Sequence, residues 1–485
     1  MNQARGKLDE ADLLISRAYV AGEWLEGDDT PIRVEDPFTL ETIAEVASVN
    51  ASTAQQAVNA AAGALPAWAA RPAKERGAIV RRWFELIVQH REDLARLITR
   101  ENGKPMREAR GEVDYANQFM EFYADEATRV LGEIIPAAEP GRRMLAEREP
   151  VGVCAAITPW NFPLAMLTRK AAPAMAAGCT MVAKPAGQTP LSALAFAFLG
   201  QEAGIPPGVF SVVTGRAGPI GEVVTQSPAV RKLTFTGSTP VGTMLMAACA
   251  PTMKRVSMEL GGNAPLLIFD DADLDTAVET AIVAKFRNSG QSCIAANRIY
   301  VQDGIRDRFL SAFAGRVSQM SAGDGFDEQN DIGPLIDEAA IAKVEEHRED
   351  ALTRGGRLLA GGASPGGRIA LPTLLANVPE QAMLAQEETF GPLAGVIGFD
   401  TVERAIGLAN DTPFGLAAYL CSQDPAKIAH VSRALETGMV GINTGLISSA
   451  HAPFGGVKMS GVGREGSHQG IEEYLSTKYI CQAGL

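Results

Sequence analysis

The sequence has few of the features that mark a metal protein, a secreted protein or a membrane protein. Its six cysteines, among 485 residues, are scattered and form neither a CxxC pair nor a Cys/His group with zinc-like spacing. No apolar run approaches the length that crosses a bilayer, and the start, MNQARGKLDEADLLISRAYV, carries acidic residues where a signal peptide needs apolar ones. These absences predict a cytoplasmic protein without a metal site.

Positive charge is also scarce, since 57 acidic residues against 44 basic ones give a formal charge of -13. This balance disfavours a broad surface for nucleic acid or for an anionic membrane, so neither partner is expected. An anionic ligand would have to meet a local cluster of cations. Aromatic residues make up 6% of the chain, but hydrophobic residues make up 46%, which is enough for the cores of two or three domains.

Common catalytic signatures are missing as well. The sequence contains no GxSxG, HExxH or P-loop motif. One GxGxxG match exists, GVGREG at residues 461–466, but it follows no predicted strand and only 19 residues come after it. That is too short for a dinucleotide-binding βαβ unit, so we interpret the match as a flexible glycine-rich turn.

The sequence does contain a regular α/β pattern from residue 151 onward, after a helical layer over about residues 53–130. The β-rich segments are VGVCAAI, CTMVAK, GVFSVV, RKLTFT and RVSMEL, and alanine-rich helical segments separate them. This alternation predicts a parallel sheet covered by helices on both faces. Ligands collect beyond the carboxyl ends of such strands, so TPWNFP, KPAGQTP, FTGSTP and ELGGN are expected to line one crevice. The pattern resumes after ELGGN and predicts a second α/β domain.

Three residues have contexts that suit catalysis, each with an ordinary alternative. Cys293 follows the polar loop SGQS, which predicts an accessible nucleophile, although an incidental surface thiol has the same context. Glu259 ends a predicted strand before two glycines, which suits a general base but also a solvated strand end. Asn161 lies between prolines in TPWNFP, where its amide could stabilise an oxyanion or simply belong to a turn.

Seven segments together match one known family: PWNFP, KPA, FTGS, MELGGN, GQSC, EETFGP and PFGGVKMSG occur in its order, with Glu259 and Cys293 34 residues apart. On these segments the chain resembles the NAD(P)-dependent aldehyde dehydrogenases over nearly its full length. The resemblance implies an α/β fold with a parallel Rossmann-type cofactor-binding domain (1–127 and 148–260), an α/β catalytic domain (261–460) and a β oligomerisation element (128–147 and 470–485). It also implies a homodimer or homotetramer, in which the alternating tail from Tyr474 forms an edge strand that extends a neighbour's sheet.

The resemblance also implies the catalytic roles. Cys293 would attack the aldehyde carbon, and Asn161 with the Cys293 backbone N–H would hold the oxyanion of the thiohemiacetal. After loss of hydride to nicotinamide, Glu259 would activate the water that hydrolyses the thioester. A covalent nucleophile divides a difficult oxidation into two easier steps, and each step needs an oxyanion site.

For the cofactor, the resemblance assigns Lys184 to the adenosine ribose, Ser238 to the pyrophosphate, Trp160 to the cofactor wall, and Glu388 to the nicotinamide ribose with Phe390 nearby. Gly237, next to Ser238, belongs to the same cofactor-binding set. Many members carry a glutamate three residues after the lysine, where it binds the ribose 2′-hydroxyl. Here that position is Gly187. Because no carboxylate repels a 2′-phosphate there, NADP is at least as plausible as NAD.

Within the family, the segments FRNSGQSC, NFPLAMLTRKAAPAMAAGCT and GLISSAHAPFGGVKMSGVGREGSHQGIEEYL are similar to those of succinate-semialdehyde dehydrogenases. The similarity assigns Arg169, Arg287 and Ser448 to the substrate carboxylate. Two guanidinium groups and a hydroxyl form a donor set that suits a carboxylate, and they would provide the local cations that this acidic chain otherwise lacks. The alternative for the arginines is pairing with structural carboxylates.

Several functions remain open on the sequence alone. The same chemistry could act on glutarate semialdehyde or on a broader range of aldehydes, including uncharged ones. A cysteine hydrolase of esters or thioesters could use Cys293, Asn161 and Glu259 but would not need the cofactor residues. A noncatalytic protein on this scaffold is disfavoured by the intact catalytic set, and a CoA-acylating enzyme would have no need of the hydrolytic base.

Overall fold

The computed structural model of the chain describes residues 6–484. Its strands are β1 (Ala18–Val20), β2 (Glu23–Leu25), β3 (Asp29–Glu35), β4 (Thr42–Ser48), β5 (Glu133–Ile135), β6 (Arg142–Pro150), β7 (Val153–Ile157), β8 (Thr180–Lys184), β9 (Phe210–Val212), β10 (Val230–Thr236), β11 (Arg255–Glu259), β12 (Ala264–Ile268), β13 (Ala296–Gln302), β14 (Arg357–Ala360), β15 (Thr373–Ala376), β16 (Leu393–Phe399), β17 (Phe414–Gly415), β18 (Ala417–Cys421), β19 (Met439–Ile442), β20 (Val457–Lys458), β21 (Gly461–Val462) and β22 (Leu475–Ala483). Its α-helices are α1 (Ala51–Ala70), α2 (Ala73–Gln89), α3 (Arg91–Asn102), α4 (Met106–Glu126), α5 (Ala165–Ala177), α6 (Leu191–Glu202), α7 (Ala217–Gln226), α8 (Thr239–Cys249), α9 (Leu274–Phe286), α10 (Asp303–Val317), α11 (Glu338–Thr353), α12 (Met383–Gln386), α13 (Val402–Asn410), α14 (Pro425–Ala434) and α15 (Ser467–Glu472).

The predicted parallel sheet is confirmed. It has the order β2-β1-β9-β8-β7-β10-β11-β21, and its five central strands run parallel. Its strands are apolar on both faces because each face carries helices: Cys154 and Ala156 of β7 pack on one side, and Val153 and Ala155 pack on the other. The antiparallel strands β1, β2 and β21 form the two edges.

The helical layer packs on one face of this sheet, as its apolar spacing predicts. Trp83 of α2 is fully buried, stacks on the ring of Phe196 at 4.1 Å, and donates its indole N–H to the Phe196 carbonyl. Helix α3 ends where Gly103 adopts a left-handed conformation with φ 90°. This turn directs the chain into α4, which lies beside the site.

A second sheet has the order β14-β15-β16-β13-β12-β18-β19 and is parallel except for β14. The chain passes from the first sheet to the second between Glu259, the last residue of β11, and Ala264, the first residue of β12. Strand β21 then returns to the edge of the first sheet, where it pairs with β11. The second α/β unit is therefore confirmed, while the exact domain boundaries stay a prediction.

A third sheet contains β22, β6 and β5 in that order. Strand β22 runs antiparallel to β6, with Leu475 opposite Pro150 and Ala483 opposite Arg142. The two segments that the sequence assigns to oligomerisation thus pair with each other, although β6 continues to residue 150, beyond the predicted limit of 147. Across residues 6–484, no helix combines the length and the apolar character that crossing a bilayer requires.

Candidate active site

One cavity of about 300 Å³ lies beyond the carboxyl ends of β7, β10 and β11, where the two large sheets meet. Its lining contains every predicted site residue except Lys184 and Gly187: Trp160, Asn161, Arg169, Gly237, Ser238, Glu259, Arg287, Cys293, Glu388, Phe390 and Ser448. The predicted crevice is therefore formed by TPWNFP, FTGSTP and ELGGN. The KPAGQTP segment lies alongside, because the Thr158 N–H donates to the Lys184 carbonyl at 3.1 Å.

The thiol of Cys293 lies on a tightly wound loop. Asn288 and Ser289 both have positive φ, and a side chain on Gly290 would come within 2.2 Å of the Gly391 carbonyl oxygen. Such strained backbone persists only where surrounding contacts fix it. The thiol is half-buried, and burial raises its pKa to about 12, with the Glu388 carboxylate adding to the rise and Arg169 opposing it. A thiol with this raised pKa keeps its proton at neutral pH until a base removes it.

Glu259 is buried at the end of β11, opposite Thr236 of β10. One of its carboxylate oxygens, Oε2, has no hydrogen-bond partner within residues 6–484. Burial raises the pKa of Glu259 well above its usual value, and the nearby Glu465 carboxylate raises it further, against Arg169 and Lys170. A raised pKa is what a carboxylate needs to accept a proton from water or a thiol.

Hydrogen bonds from distant segments fix the Asn161 loop. The Asn161 carbonyl accepts from Lys104 Nζ at 2.8 Å and from Asn288 Nδ2 at 2.9 Å. Its own Nδ2 donates to the Gln291 carbonyl at 3.1 Å, two residues before the nucleophile. The two prolines around Asn161 are thus one part of the constraint, and the amide is held next to the Cys293 loop.

The two predicted substrate arginines differ in their surroundings. The Arg169 guanidinium is 2% exposed, lies 2.7 Å from Glu465 Oε2 and stacks on the ring of Phe454 at 3.9 Å. Arg169 therefore pairs with a structural carboxylate, which is the alternative to substrate binding, although the residue also lines the cavity. In contrast, no carboxylate of residues 6–484 lies within ion-pair distance of Arg287, whose guanidinium lies 5.1 Å from the Phe162 ring centre.

The cofactor residues come from both large sheets: Trp160, Gly237 and Ser238 follow strands of the first sheet, whereas Glu388 and Phe390 precede β16 of the second. Ser238 directly precedes α8 and makes no side-chain hydrogen bond to that helix, so its hydroxyl and the helix N-terminus both remain available to an anion. The rings of Trp160 and Phe390 meet edge to face at 5.6 Å. Burial raises the pKa of Glu388 to about 7, and its Oε1 atom has no partner in the described chain.

Lys184 and Gly187 lie outside this lining. Lys184 ends β8 and donates from Nζ to the Pro185 carbonyl at 3.0 Å, and burial lowers its pKa to about 8. A side chain at Gly187 would touch only Ile32, at 3.8 Å. Packing therefore does not require glycine here, and a glutamate would fit at this position. The absence of a carboxylate at residue 187 therefore bears on cofactor binding rather than on packing.

Several residues that shape the site carry no signal in the sequence. Lys104 and Glu112 form a buried ion pair behind Asn161, and Lys170 donates to Glu465 Oε1 at 2.7 Å. Tyr115 of α4 also lines the cavity. Lys104, Glu112 and Lys170 act through partners far away in the sequence, and Tyr115 reaches the cavity only because α4 lies beside it, so only the fold reveals these roles.

Comparison with known proteins agrees with this geometry. The model of the aldehyde dehydrogenase family matches residues 24–480, and the chain belongs to this family. It is therefore an oxidoreductase of the α/β class, as its sequence predicts.

The chain is 54% identical to a glutarate-semialdehyde dehydrogenase of Pseudomonas putida over 476 residues, covering 98% of this chain and 99% of the relative. It is 53% identical to a succinate-semialdehyde dehydrogenase [NADP(+)] of Escherichia coli over 478 residues, covering 98% and 99%. A crystal structure of an aldehyde dehydrogenase from Brucella melitensis superposes with a TM-score of 0.98 at 54% identity, covering 99% of both chains. A betaine aldehyde dehydrogenase of Staphylococcus aureus in complex with NAD+ gives a TM-score of 0.95 at 36% identity, covering 97% of this chain and 95% of the other. These relatives confirm that the expected cofactor is a nicotinamide dinucleotide, NADP or NAD.

Proposed function

We propose that this enzyme oxidises ω-oxo carboxylic acids, with succinate semialdehyde as the leading substrate and succinate as the product. The observation that carries this proposal is the guanidinium of Arg287, which has no carboxylate of residues 6–484 within ion-pair distance and lines the same cavity as the Cys293 thiol. In a chain with a formal charge of -13, a cation without a carboxylate partner beside the nucleophile favours an anionic substrate. The two semialdehyde-dehydrogenase relatives support the same class.

The first half of the reaction forms a carbon–sulfur bond. The Cys293 thiol gives its proton to the Glu259 carboxylate, which releases it to solvent before the second half of the reaction, and the thiolate attacks the aldehyde carbon. The carbonyl oxygen becomes an oxyanion that Asn161 Nδ2 and the Cys293 N–H stabilise. The thiohemiacetal then loses two electrons and a proton and becomes a thioester. A bound nicotinamide dinucleotide supplies the two-electron acceptor for this oxidation.

The second half is hydrolysis. Glu259 takes a proton from water, the resulting hydroxide adds to the thioester carbon, and the carbon–sulfur bond breaks. The same oxyanion donors serve again, the thiolate is regenerated, and the carboxylic acid leaves. The raised pKa of Glu259 supports this role, because a carboxylate that favours its protonated form is a stronger base.

The residues present fit the cofactor. Glu388 has a carboxylate oxygen without a partner, and Ser238 presents a free hydroxyl at the start of α8, so a ribose hydroxyl and a phosphate would find matching groups. Lys184 with Gly187 would hold the adenosine ribose. The missing carboxylate at residue 187 supports NADP at least as strongly as NAD.

Glutarate semialdehyde is the second candidate. The inner cavity adjoins an outer cavity of about 590 Å³, and Tyr115, Phe162, Arg287 and Ser448 line both. A chain one methylene longer can therefore be accommodated toward the outer side. The P. putida relative supports this alternative, whereas a cysteine esterase is disfavoured by membership of a dehydrogenase family and by the cofactor groups.

A steady-state panel tests the proposal, with succinate semialdehyde, glutarate semialdehyde and butanal measured with NADP and with NAD. We expect kcat/KM to be highest for a charged aldehyde, with chain length changing it by about 10- to 200-fold per methylene. Arg287→Ala should raise KM for the charged aldehydes far more than for butanal. Arg308→Ala, on the exposed surface of α10, is the control. Equal losses on charged and uncharged aldehydes would remove the carboxylate assignment.

We also infer a homodimer or homotetramer in the cytoplasm. Among residues 6–484, strand β22 pairs with a strand on one side only, and Tyr479 on it is 55% exposed, which supports its use as an edge for a second subunit. The exposed Cys481 and the half-buried Cys293 are both free thiols, which suits a reducing compartment. Light scattering on the full chain tests the assembly, and a monomeric mass would contradict it.

A further inference from the structure

Tyr115 lies at the junction of the two cavities. It projects from α4 and lines both the inner cavity that contains Cys293 and the outer cavity, as do Arg287 and Ser448. Its ring is held edge to face against Phe119 at 5.1 Å. Any aldehyde whose far end reaches Arg287 must therefore pass or contact this side chain.

The hydroxyl of Tyr115 lacks a partner. Its oxygen is shielded from solvent, and it makes no hydrogen bond within the described residues. Buried hydroxyl groups are almost always paired, because an unpaired one has lost water without replacing it. A tyrosine hydroxyl left unpaired at a cavity wall therefore marks a place where a ligand completes the bond.

The surroundings of this hydroxyl indicate which ligand. Arg169 and Arg287 are the two cations whose charges act on Tyr115, and the Glu465 carboxylate acts against them. The Ser448 hydroxyl also interacts with the phenol, but without the geometry of a full hydrogen bond. Burial outweighs both arginines and leaves the pKa of Tyr115 raised, so the phenol keeps its proton and is a donor. A neutral donor that shares a cavity wall with Arg287 and Ser448 suits an anion.

We propose that the Tyr115 hydroxyl donates a hydrogen bond to the remote carboxylate of the substrate, and that Tyr115 is a specificity-determining residue for anionic aldehydes. This inference rests on the proposed function and extends it, because it adds a neutral donor to the Arg287 and Ser448 side of the cavity. A carboxylate has two oxygens and room for several donors, so a phenol can share it with a guanidinium.

The test is Tyr115→Phe, which keeps the ring and its contact with Phe119 and removes only the donor. The measured quantity is the ratio of kcat/KM for succinate semialdehyde to kcat/KM for butanal, an uncharged aldehyde of equal length. A hydrogen bond to a charged group corresponds to a loss of about 10-fold or more in this ratio. The inhibition constant of succinate against the aldehyde should rise by a similar factor, which reports binding without turnover.

Tyr300→Phe is the matched control, because its hydroxyl is also buried but lies against the Leu408 carbonyl, away from the cavity. We expect the control to leave the ratio unchanged. If Tyr115→Phe also leaves the ratio unchanged while the wild-type protein prefers the charged aldehyde, the hydroxyl serves only Ser448 and this inference is overturned. If the wild-type protein shows no preference for the charged aldehyde, the proposed function fails instead.

Discussion

Lys104 Nζ donates a hydrogen bond of 2.8 Å to the main-chain carbonyl of Asn161, and it is paired with Glu112 in a region where neither side chain is exposed. The other Glu112 oxygen accepts the backbone N–H groups of Leu164 and Ala165, where α5 begins. One buried ion pair therefore holds both ends of the segment that carries the oxyanion donor. Asn161 owes its position to residues on α4 and the turn before it.

We expect Lys104→Met to lower kcat about 10- to 100-fold with little change in KM, because a displaced oxyanion donor weakens transition-state stabilisation more than binding. The variant should also lose about 3 kcal/mol of unfolding free energy, since Glu112 keeps an uncompensated buried charge. Steady-state kinetics and urea unfolding measure the two effects. Lys74→Met, on the exposed side of α2, is the control.

The double variant Lys104→Met with Glu112→Gln separates the two effects. It removes the buried charge but keeps an acceptor for Leu164 and Ala165, so we expect stability to recover partly while kcat stays low. Recovery of kcat together with stability would mean that Lys104 has a structural role alone.

A second prediction concerns the thiol itself. Because the pKa of Cys293 is about 12, alkylation by iodoacetamide should be slow at pH 7 and should rise about tenfold per pH unit up to pH 10. Glu388 is one cause of the high thiol pKa, and its own pKa is about 7. Glu388→Gln should therefore speed alkylation above pH 8, where the carboxylate is charged, and leave the rate at pH 6 unchanged.

These rates should be measured in a Cys481→Ser background, because Cys481 is exposed and would react as well. The exposed neighbour Glu387→Gln is the control and should leave the profile as it is. A uniform acceleration at every pH in Glu388→Gln would indicate a steric effect of the substitution rather than a charge effect.

The sequence predicts the sheets well because their signals are local. The strand segments around Cys154, Val182 and Leu233 are short apolar runs bounded by turns, and the catalytic motifs follow directly at strand ends. The crevice is then a consequence of parallel strands sharing one edge.

The sequence fails where a role depends on a distant partner. The sequence predicts a flexible turn for GVGREG, which is wrong, because Gly461 and Val462 form a strand against Met258 and Glu259. Glu465 in the same segment pairs with Arg169. Nothing local distinguishes such a buried carboxylate from a solvated one. The same holds for Lys104, whose partner Asn161 lies 57 residues away.

The two arginines of the predicted carboxylate site should differ in stability. Arg169→Met leaves Glu465 with Lys170 as its remaining cation, and breaking the buried Arg169–Glu465 pair should cost about 3 kcal/mol of unfolding free energy. Arg287→Met breaks no ion pair and should change stability by less than about 1 kcal/mol, although it impairs binding of a charged aldehyde. Urea unfolding of both variants measures the contrast, and similar losses would contradict it.

Lys285 provides a prediction for the pH dependence of stability. It is fully buried, donates from Nζ to Asn297 Oδ1 at 3.3 Å, and burial lowers its pKa from 10.5 to about 7, against the opposing charge of Glu388. The unfolded chain therefore binds more protons than the folded one between pH 7 and 10.5, so this lysine makes stability rise with pH across that window. Its destabilising effect is complete below pH 7 and absent above pH 10.5. Lys285→Met should accordingly stabilise the protein by about 3–5 kcal/mol at pH 6, less the lost hydrogen bond, and the gain should shrink toward pH 10.

Urea midpoints of Lys285→Met at pH 6, 8 and 10 measure this effect, with Lys74→Met as a control that should show no trend. The neutral methionine occupies nearly the same volume, so packing contributes equally at every pH. A stability difference that does not vary with pH would mean that Lys285 is already charged in the folded protein, held by Asn297 and the field of Glu388. In that case the Glu388 carboxylate would have a cationic partner at neutral pH, and its own pKa would lie below 7.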